Sequence, residues 1–328
     1  MPLSLRRGTV TAIVERLDRL DRIEVDGAAC ISYPRATGAV ELGDEVLVNV
    51  QAAELGLGSG GFHVLYANLT RGLELEPEPG AHVMTLPYSP LQQAVRFVEE
   101  DGELAESLDG MPVVCCSVHS QVAPAVAGVG EEMRIAYVQL PGGALPVSLS
   151  DSVRVLKARG LVELAVAAGA CFDGDAQAVG VPSALAWVAA RGFDVAVCSV
   201  GPGIVGTGSS LGHGGVAAAE AANVATALSG LPVLSVRVSE GDSRERHRGV
   251  SHHTRAVLEL VLGEVSVAWP AGLEAPSWLG AREEVDVTGW REACDGLILE
   301  HMSRGPDDDP WFFASAFAAG KLTRALLG

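Results

Sequence analysis

The chain has 328 residues, of which 48% are hydrophobic and 20% charged, and its formal net charge is −18 at pH 7. This length suits one large domain with a smaller one, and the acidic balance argues against binding to nucleic acid or to anionic membranes. No apolar run approaches the roughly 20 residues that cross a bilayer, the chain starts without a signal-peptide pattern, and its six cysteines form no CxxC pair, so we expect a cytoplasmic protein with reduced thiols.

The first part of the chain is predicted to be all-β. Residues 8–68 contain short β-branched runs separated by glycines, without helical periodicity of useful length. This pattern predicts a small β-barrel domain of about five strands over residues 1–70. Residues 71–88 contain three prolines and are interpreted as a linker.

Residues 89–328 are predicted to form an α/β domain that carries the functional site. Ser89, followed by Pro90 and Gln92, has a capping-box pattern and predicts that a helix begins there. Apolar strands then alternate with helices, which predicts a largely parallel sheet with helices on both faces. The predicted strands are Pro112–Val118, Arg134–Leu140, Leu161–Ala167, Asp194–Val200, Pro232–Val238 and Glu264–Trp269, and the predicted helices are Ser150–Arg159, Pro182–Ala190, Gly215–Leu228, Ser251–Leu262 and Trp311–Leu327.

Unusual loops follow four of the predicted strands. Because parallel strands end at one edge of the sheet, and ligands of open α/β sheets bind along that edge, these loops predict a functional site there. The loops contain His119, the segment CFDGDAQ, the segment GPGIVGTGSSLGHGG and the segment SEGDSRERHRGVSHHTR.

The glycine-rich segment 201–215 is a candidate anion-binding loop, because glycine lets backbone N–H groups approach a phosphate or carboxylate closely. Its first glycines match G-x-G-x-x-G after a strand, but the helix begins several residues later and no acid follows about 20 residues on. A long flexible turn is the alternative. The candidate binding residues are Gly201, Gly203, Gly206, Thr207, Gly208 and Ser209.

The segment 239–255 gathers four of the 21 arginines and three of the eight histidines. Arg244 and Arg246 are the candidates to neutralise an anion. His247, His252 and His253 are candidate general acids or bases, the last two in the first turn of a helix capped by Ser251. The alternative is a solvated loop in which the arginines pair with acids of the same segment.

Two further predictions concern single loops. Asp173 and Asp175 are two residues apart, so in an extended segment both carboxylates face the same side and could hold a divalent cation. A simple turn is the alternative. His119, directly after an apolar strand, is a fourth catalytic candidate, with a structural role as its alternative.

The chain resembles an uncharacterised bacterial family, known only as a domain of unknown function, in the segments GPGIVGTGSSLGHGG, RERHRGVSHHT, GGALPVSLSDSV and SRGPDDDPWFF. The resemblance covers nearly the whole chain. It implies the two-part layout and no activity. Where the family pattern is closer to GGDxEAVN, this chain has Gln177 and Gly180, which removes an acid and an amide beside Asp173 and Asp175.

Together these patterns predict an enzyme, a hydrolase or transferase, that acts on a small phosphorylated or carboxylated substrate. A noncatalytic nucleotide or metabolite sensor is one alternative. An oligomeric interaction protein, with the Arg/His segment at the interface of a homo-oligomer, is the other. The sequence predicts neither nucleic acid nor a membrane as partner, and a divalent cation is the only cofactor it suggests.

Overall fold

The computed structural model describes residues 3–56, 61–100 and 102–328. The chain forms two compact units, Met1–Arg96 and Phe97–Gly328. A closed β-barrel occupies the first unit and a parallel sheet the second, so the predicted fold class is confirmed. No helix of the described residues is both long and apolar enough to cross a membrane.

The barrel of the first unit has five strands in the order β1-β2-β3-β5-β4. Apolar side chains from alternate strand positions fill it, among them Val10, Ile23, Val46 and Leu65. This alternation is what a sheet needs when it closes around a core and leaves its other face to solvent. The elements are β1 (Leu5–Leu17), β2 (Leu20–Val25), β3 (Ala28–Ser32), α1 (Pro34–Thr37), β4 (Glu45–Asn49), α2 (Gln51–Glu54) and β5 (His63–Asn68).

The prediction that a helix begins at Ser89 is wrong. The hydroxyl of Ser89 donates to the carbonyl oxygen of Leu86 at 2.8 Å and closes a turn. The chain then continues as strand β7 (Gln93–Val95), which pairs with β6 (Val83–Thr85) in an antiparallel hairpin. Serine and proline favour turns as well as helix starts, and no amphipathic run follows here to favour the helix.

The second unit contains an eight-stranded parallel sheet in the order β11-β10-β9-β12-β8-β13-β16-β17. Its strands are β8 (Pro112–Cys116), β9 (Ile135–Leu140), β10 (Leu164–Ala168), β11 (Ala176–Ala178), β12 (Val195–Val200), β13 (Leu231–Ser235), β16 (Ser266–Pro270) and β17 (Glu283–Val285), and β14 (Val238–Ser239) pairs separately with β15 (Gly249–Val250). The helices are α3 (Val122–Val129), α4 (Asp151–Ala158), α5 (Val181–Ala190), α6 (Ala217–Ala227), α7 (His252–Leu260), α8 (Trp290–Ala293) and α9 (Pro310–Leu326).

Both faces of this sheet are buried. In β8, Val113 and Cys115 pack into one core, and Val114 and Cys116 pack into the other. Helices α5, α6 and α7 cover the first face, whereas α3, α4 and α9 cover the second. This double coverage explains why the strands are apolar at nearly every position.

The connections that leave neighbouring strands go to opposite faces of the sheet. β8 leads to α3 on one face, while β12 and β13, on either side of β8, lead to α6 and α7 on the other. A crevice opens at such a switch point, at the carboxyl ends of the strands. By this rule, a binding crevice is expected where β12, β8 and β13 end.

Helices α3 and α9 approach so closely that two positions have no room for a side chain. A Cβ on Gly320 would overlap the carbonyl oxygen of Ala125, and a Cβ on Gly128 would overlap that of Phe317. We expect Gly320→Ala to lower the free energy of unfolding by about 1–3 kcal/mol or more, because an overpacked core must shift its backbone. Urea denaturation measures the change. Gly280→Ala is the matched control, since a Cβ there meets open space. Equal stability of both variants would contradict this close packing.

Candidate functional site

Backbone contacts fold the segment after β13 back onto its own start. The amide of Ser251 donates to the carbonyl oxygen of Arg237 at 2.9 Å, and the amide of Arg237 donates to Oγ1 of Thr254 at 2.8 Å. Helix α7 therefore begins beside the end of β13. Ser251 is its N-cap and accepts a hydrogen bond from the amide of His253, so the predicted cap, with two histidines in the first turn, is confirmed.

Four histidine rings meet at this crevice. His213, from the glycine-rich loop, stacks on His253 with ring centroids 3.7 Å apart. His252 lies 5.2 Å from His213 and 4.6 Å from His253. His247 lies 4.8 Å from His252 and 4.9 Å from His253. The structure thus brings together three predicted residues and adds His213, and we call these four residues the histidine cluster.

Two nitrogens of the histidine cluster are buried without a hydrogen-bond partner: Nδ1 of His213 and Nε2 of His252. The other ring nitrogen of His213, Nε2, lies 3.0 Å from the carbonyl oxygen of Ser210. A carbonyl oxygen can only accept, so Nε2 carries the proton and Nδ1 a lone pair. His213 therefore holds a buried acceptor without a partner at the histidine cluster.

A buried arginine lies beneath the cluster. Arg237 is only 2% exposed. Its guanidinium lies 3.0 Å from Nδ1 of His253 and 3.2 Å from Nε2 of His301. His301 also contacts the hydroxyl of Ser120 at 2.8 Å and stacks on Phe312. Sequence reasoning missed Arg237 and His301, because Arg237 lay inside the predicted strand Pro232–Val238, whereas β13 ends at Ser235.

An ion-pair network holds Arg237 in place. Asp242 lies 3.7 Å from the guanidinium of Arg237, pairs with that of Arg244 at 2.8 Å and with that of Arg304 at 3.2 Å. Arg304 also pairs with Asp309 at 3.2 Å. The hydrogen bonds from Arg244 hold the pKa of Asp242 far below its usual range. Burial, and then the charge of Arg244, lowers the pKa of Arg237 to about 10.

Burial keeps the imidazoles neutral at pH 7. It lowers the pKa of His247 to about 3 and that of His301 to about 2, with the nearby charge of Arg237 as the next cause. The same two causes lower the pKa of His253 further. Burial also lowers the pKa of His213 and His252. Neutral imidazoles can accept a proton or donate a hydrogen bond without carrying charge.

The two predicted anion-neutralising arginines differ in their surroundings. Arg244 donates two parallel hydrogen bonds to Asp242. It therefore stabilises the loop and is not an unpaired cation in the crevice. Arg246 is exposed, and its charge contributes to the lowered pKa of His252. The local ion pairing that the sequence left open is thus present for Arg244.

The glycine-rich loop forms a hairpin that presents His213. Gly206 pairs with His213 in an antiparallel bridge. The hydroxyls of Thr207 and Ser209 bond to each other, and each accepts a backbone amide of the same loop. These backbone amides already donate within the loop, so the backbone cradle that was predicted to bind an anion is not preformed at these residues. Gly208 has open space around it.

The base of this loop requires glycine for close approach. A Cβ on Gly201 would overlap the carbonyl oxygen of Ala144, and one on Gly143 would overlap that of Gly201. Gly203 has a φ of 66°, in the left-handed region that favours glycine. We therefore assign Gly201 to packing against the neighbouring loop and Gly203 to the turn that its positive φ allows.

His119 serves as a link between elements. Its Nδ1 lies 3.2 Å from the carbonyl oxygen of Val200, and its Nε2 lies 2.6 Å from Oγ of Ser150, the N-cap of α4. Burial lowers its pKa to about 4. Both ring nitrogens are engaged, and its ring contact is with Tyr137 and not with the histidine cluster. This arrangement favours the structural alternative.

Asp173 and Asp175 lie away from the histidine cluster. Asp175 accepts hydrogen bonds from Lys157 and from the amide of Ala165, near the amino end of β10 and thus at the opposite edge of the sheet. Asp173 accepts from Ser148 and has a φ of 62°. The extended segment that would have aligned the two carboxylates is instead a turn.

One group among the described residues could hold a metal ion: His213, His252 and His253, whose candidate ligand atoms lie within 4.8 Å of one another. Two features oppose a shared ion. The rings of His213 and His253 are parallel to within 13°, so their in-plane lone pairs cannot converge on one point. Nδ1 of His253 is already occupied by Arg237. Nδ1 of His213 and Nε2 of His252 are the buried ligand atoms of this group without a partner.

The comparison with protein families identifies the chain. Residues 29–320 match the model of a family described as protein of unknown function (DUF3866). The chain belongs to this family, as its sequence motifs suggested. No curated protein and no solved structure matches it.

We expect the buried Asp242 to contribute more to the free energy of unfolding than an exposed carboxylate does. Its side chain is 2% exposed and faces three guanidinium groups. We expect Asp242→Asn to lower the free energy of unfolding by about 3–5 kcal/mol, because it leaves buried cations uncompensated. Asp307→Asn is the control, since Asp307 pairs with Arg291 at the surface, where a pair contributes about 0–1 kcal/mol. Urea denaturation separates the two variants, and similar losses would contradict the buried network.

The neutral histidines predict an acid-sensitive fold. Unfolded histidine protonates below a pKa of about 6.5, whereas His247 and His301 stay unprotonated to pH about 3 and about 2. The stability is therefore complete above pH 6.5. It falls below that by about 1.4 kcal/mol per pH unit for each such imidazole.

Denaturant unfolding at several pH values between 7 and 5 measures this slope. We expect His301→Gln to reduce the slope by about one proton, because one buried imidazole is removed. His82→Gln, at an exposed position, is expected to leave it unchanged. A stability independent of pH in this range would show that the cluster is protonated or open in solution.

Proposed function

We propose that this chain is an enzyme, a hydrolase or group transferase, that acts on a small anionic substrate in the crevice where β12, β8 and β13 end. The observation that carries the proposal is the pair of buried, unpartnered nitrogens, Nδ1 of His213 and Nε2 of His252. Buried polar atoms without a partner are rare in folded proteins and mark a place where a ligand completes the hydrogen bonding.

The local charge favours an anion although the whole chain is acidic. The buried network contains the three guanidinium groups of Arg237, Arg244 and Arg304 against the carboxylates of Asp242 and Asp309. One positive charge is therefore in excess. The amino ends of α7 and of the helical segment that continues into α6 also meet the histidine cluster, and helix amino termini attract anions.

The chemistry that this arrangement supports is proton transfer. His213 is neutral and presents the lone pair of Nδ1, so it can take a proton from a water molecule or from a substrate hydroxyl. Attack by the resulting oxygen nucleophile is hydrolysis in the first case and group transfer in the second. His252 is the second acid–base candidate, beside His213.

A covalent intermediate on cysteine finds no support in the described residues. All six cysteines are buried. Burial raises the pKa of Cys116, Cys171 and Cys294 to about 12, so these thiols carry no nucleophilic thiolate at neutral pH. Direct attack by an activated oxygen is therefore the mechanism that we propose.

A noncatalytic sensor is the second candidate. The carboxylates of Asp242 and Asp309 both pair with arginines, so neither serves as a general base. Histidines are then the acid–base groups of the crevice, which favours a sensor. A crevice of this kind can bind an anion without a strong base. The test below separates the two functions.

The first measurement is the melting temperature of the full chain with inorganic phosphate and with citrate, because a ligand at 100 times its Kd stabilises the folded state by about 2.7 kcal/mol. The second is hydrolysis of p-nitrophenyl phosphate and p-nitrophenyl acetate. We expect at least one anion to stabilise the chain and at least one ester to be hydrolysed. His213→Gln and His252→Gln should reduce turnover by about 10²–10⁴-fold, the usual contribution of a general acid or base.

His82→Gln is the matched control and should retain full turnover. Stabilisation by phosphate or citrate without turnover of either ester, in a chain that keeps its melting temperature, would favour the sensor. Neither stabilisation nor turnover would refute the anionic-substrate proposal.

A further inference from the structure

Arg237 donates to two histidine rings near the end of β13. One terminal nitrogen lies 3.0 Å from Nδ1 of His253, and the other lies 3.2 Å from Nε2 of His301. The side chain is 3% exposed. Its main chain is fixed as well, because its amide donates to Thr254 and its carbonyl oxygen accepts from the amide of Ser251. The fold therefore holds the guanidinium against the two rings.

These contacts determine where each ring carries its proton. A guanidinium group can only donate hydrogen bonds, so each ring must turn an unprotonated nitrogen toward Arg237. This places the proton of neutral His253 on Nε2 and that of neutral His301 on Nδ1. The second assignment has an independent check, because Nδ1 of His301 lies 2.8 Å from the hydroxyl oxygen of Ser120, which can accept that proton.

The contact between Ser120 and His301 has the length of a contact between a serine nucleophile and its histidine base, about 2.6–3.2 Å. In such a pair a carboxylate accepts the proton of the far ring nitrogen, so the near nitrogen is free to accept from serine. Here Arg237 occupies the place of the carboxylate, since it contacts Nε2, the far nitrogen of His301. Because Arg237 donates, the ring proton lies on the nitrogen that faces Ser120. His301 therefore cannot take the proton of this serine.

We infer that Arg237 is a positioning residue, which fixes the proton of His253 on Nε2 and that of His301 on Nδ1. Through His301 it makes Ser120 a hydrogen-bond donor for a ligand and prevents this serine from acting as a nucleophile. The assignment of the two tautomers is independent of the proposed function. The role of Ser120 rests on that function, because it concerns the reaction at this edge of the sheet.

The hydroxyl proton of Ser120 is available to a ligand. The oxygen of this hydroxyl accepts from His301, and no described residue accepts the hydroxyl proton itself. Ser120 lies in the turn His119–Gln121 after β8, at the carboxyl end of a central strand, and it is half-buried. A hydroxyl held in this way can donate to an oxygen of an anion without losing its proton.

The same polarity excludes His253 as a general base. Its Nδ1 accepts from Arg237, so the lone pair of the neutral ring is already used. His213 and His252 keep ring nitrogens without a partner, Nδ1 and Nε2 respectively. Arg237 thus separates a histidine that can only donate from two that remain acid–base candidates.

The tautomers are tested by long-range proton–nitrogen NMR of the full chain labelled at histidine nitrogens, because protonated and unprotonated ring nitrogens resonate far apart. At pH 7 we expect an unprotonated Nδ1 on His253 and an unprotonated Nε2 on His301. Spectra of His253→Gln and His301→Gln assign the signals. The opposite tautomer on either ring, or a mixture of both, would overturn the inference. This measurement needs no ligand.

Arg237→Gln tests the cause, since an amide side chain both donates and accepts and therefore imposes no tautomer. We expect both tautomers to appear on each of the two rings. Arg291→Gln, at an exposed surface pair, should change neither ring. A single, unchanged tautomer on either ring of a folded Arg237→Gln chain would show that other contacts fix it and would overturn the positioning role. If this variant does not fold, the spectrum of the unmodified chain still decides.

Reaction with diisopropyl fluorophosphate tests whether Ser120 is activated, because this reagent phosphorylates serines whose proton a base removes. We expect intact-mass spectrometry to show no adduct on the full chain, while a serine hydrolase in the same solution is modified. An adduct located on Ser120 would overturn the inference. This measurement does not depend on the substrate.

Ser120→Ala separates a donor from a nucleophile by turnover of the p-nitrophenyl esters. We expect turnover to fall by about 2- to 10-fold, the effect of one lost neutral hydrogen bond, whereas loss of a nucleophile removes nearly all of it. Unchanged turnover would overturn the donor role. A nearly complete loss, in a chain that keeps its melting temperature, would show that Ser120 is the nucleophile. If the unmodified chain hydrolyses neither ester, the proposed function fails, while the NMR and the fluorophosphate reaction still decide the roles of Arg237 and Ser120.

Discussion

The buried guanidinium of Arg237 is the interaction on which the crevice depends. A cation that is 2% exposed is stable in a protein interior only when its hydrogen bonds and its charge are both compensated. Asp242 supplies the charge, and the imidazoles of His253 and His301 accept from the two terminal nitrogens, whereas Nε has no partner among the described residues. These groups come from distant parts of the chain. Because all of them contact Arg237, the loop after β13, the start of α7 and the segment before α9 are held in one arrangement.

The sheet topology places this arrangement at the carboxyl ends of the central strands. β12 and β13 send their connections to one face and β8 to the other, so the carboxyl ends of the strands separate the loops and leave a crevice. Glycines then let the loops close around it. A Cβ at Gly215 would lie 3.1 Å from Nδ1 of His213 and 3.3 Å from Nδ1 of His253, so a side chain at this position would compete with the rings for space.

Local sequence patterns predicted the barrel, the parallel sheet and the cap at Ser251, because each depends on residues that are close in sequence. The same patterns failed where the outcome depends on distant contacts. Helix α3 was not predicted, because its sequence is almost entirely apolar and in this respect resembles a buried strand. Its helical form depends on the distant helix α9, which packs against it. The pairing of Asp173 with Asp175 assumed an extended chain. The chain instead turns back to the amino edge of the sheet, where β11 begins.

The candidate site, too, could be predicted only where its residues are close in sequence. His247, His252 and His253 were predicted from their density in one segment, but the partners that define their chemistry lie elsewhere. His213 is 40 residues from His253, and Arg237 is 64 from His301. Burial is the larger cause of the lowered pKa values of the surrounding imidazoles, and the positive charge of Arg237 adds to it.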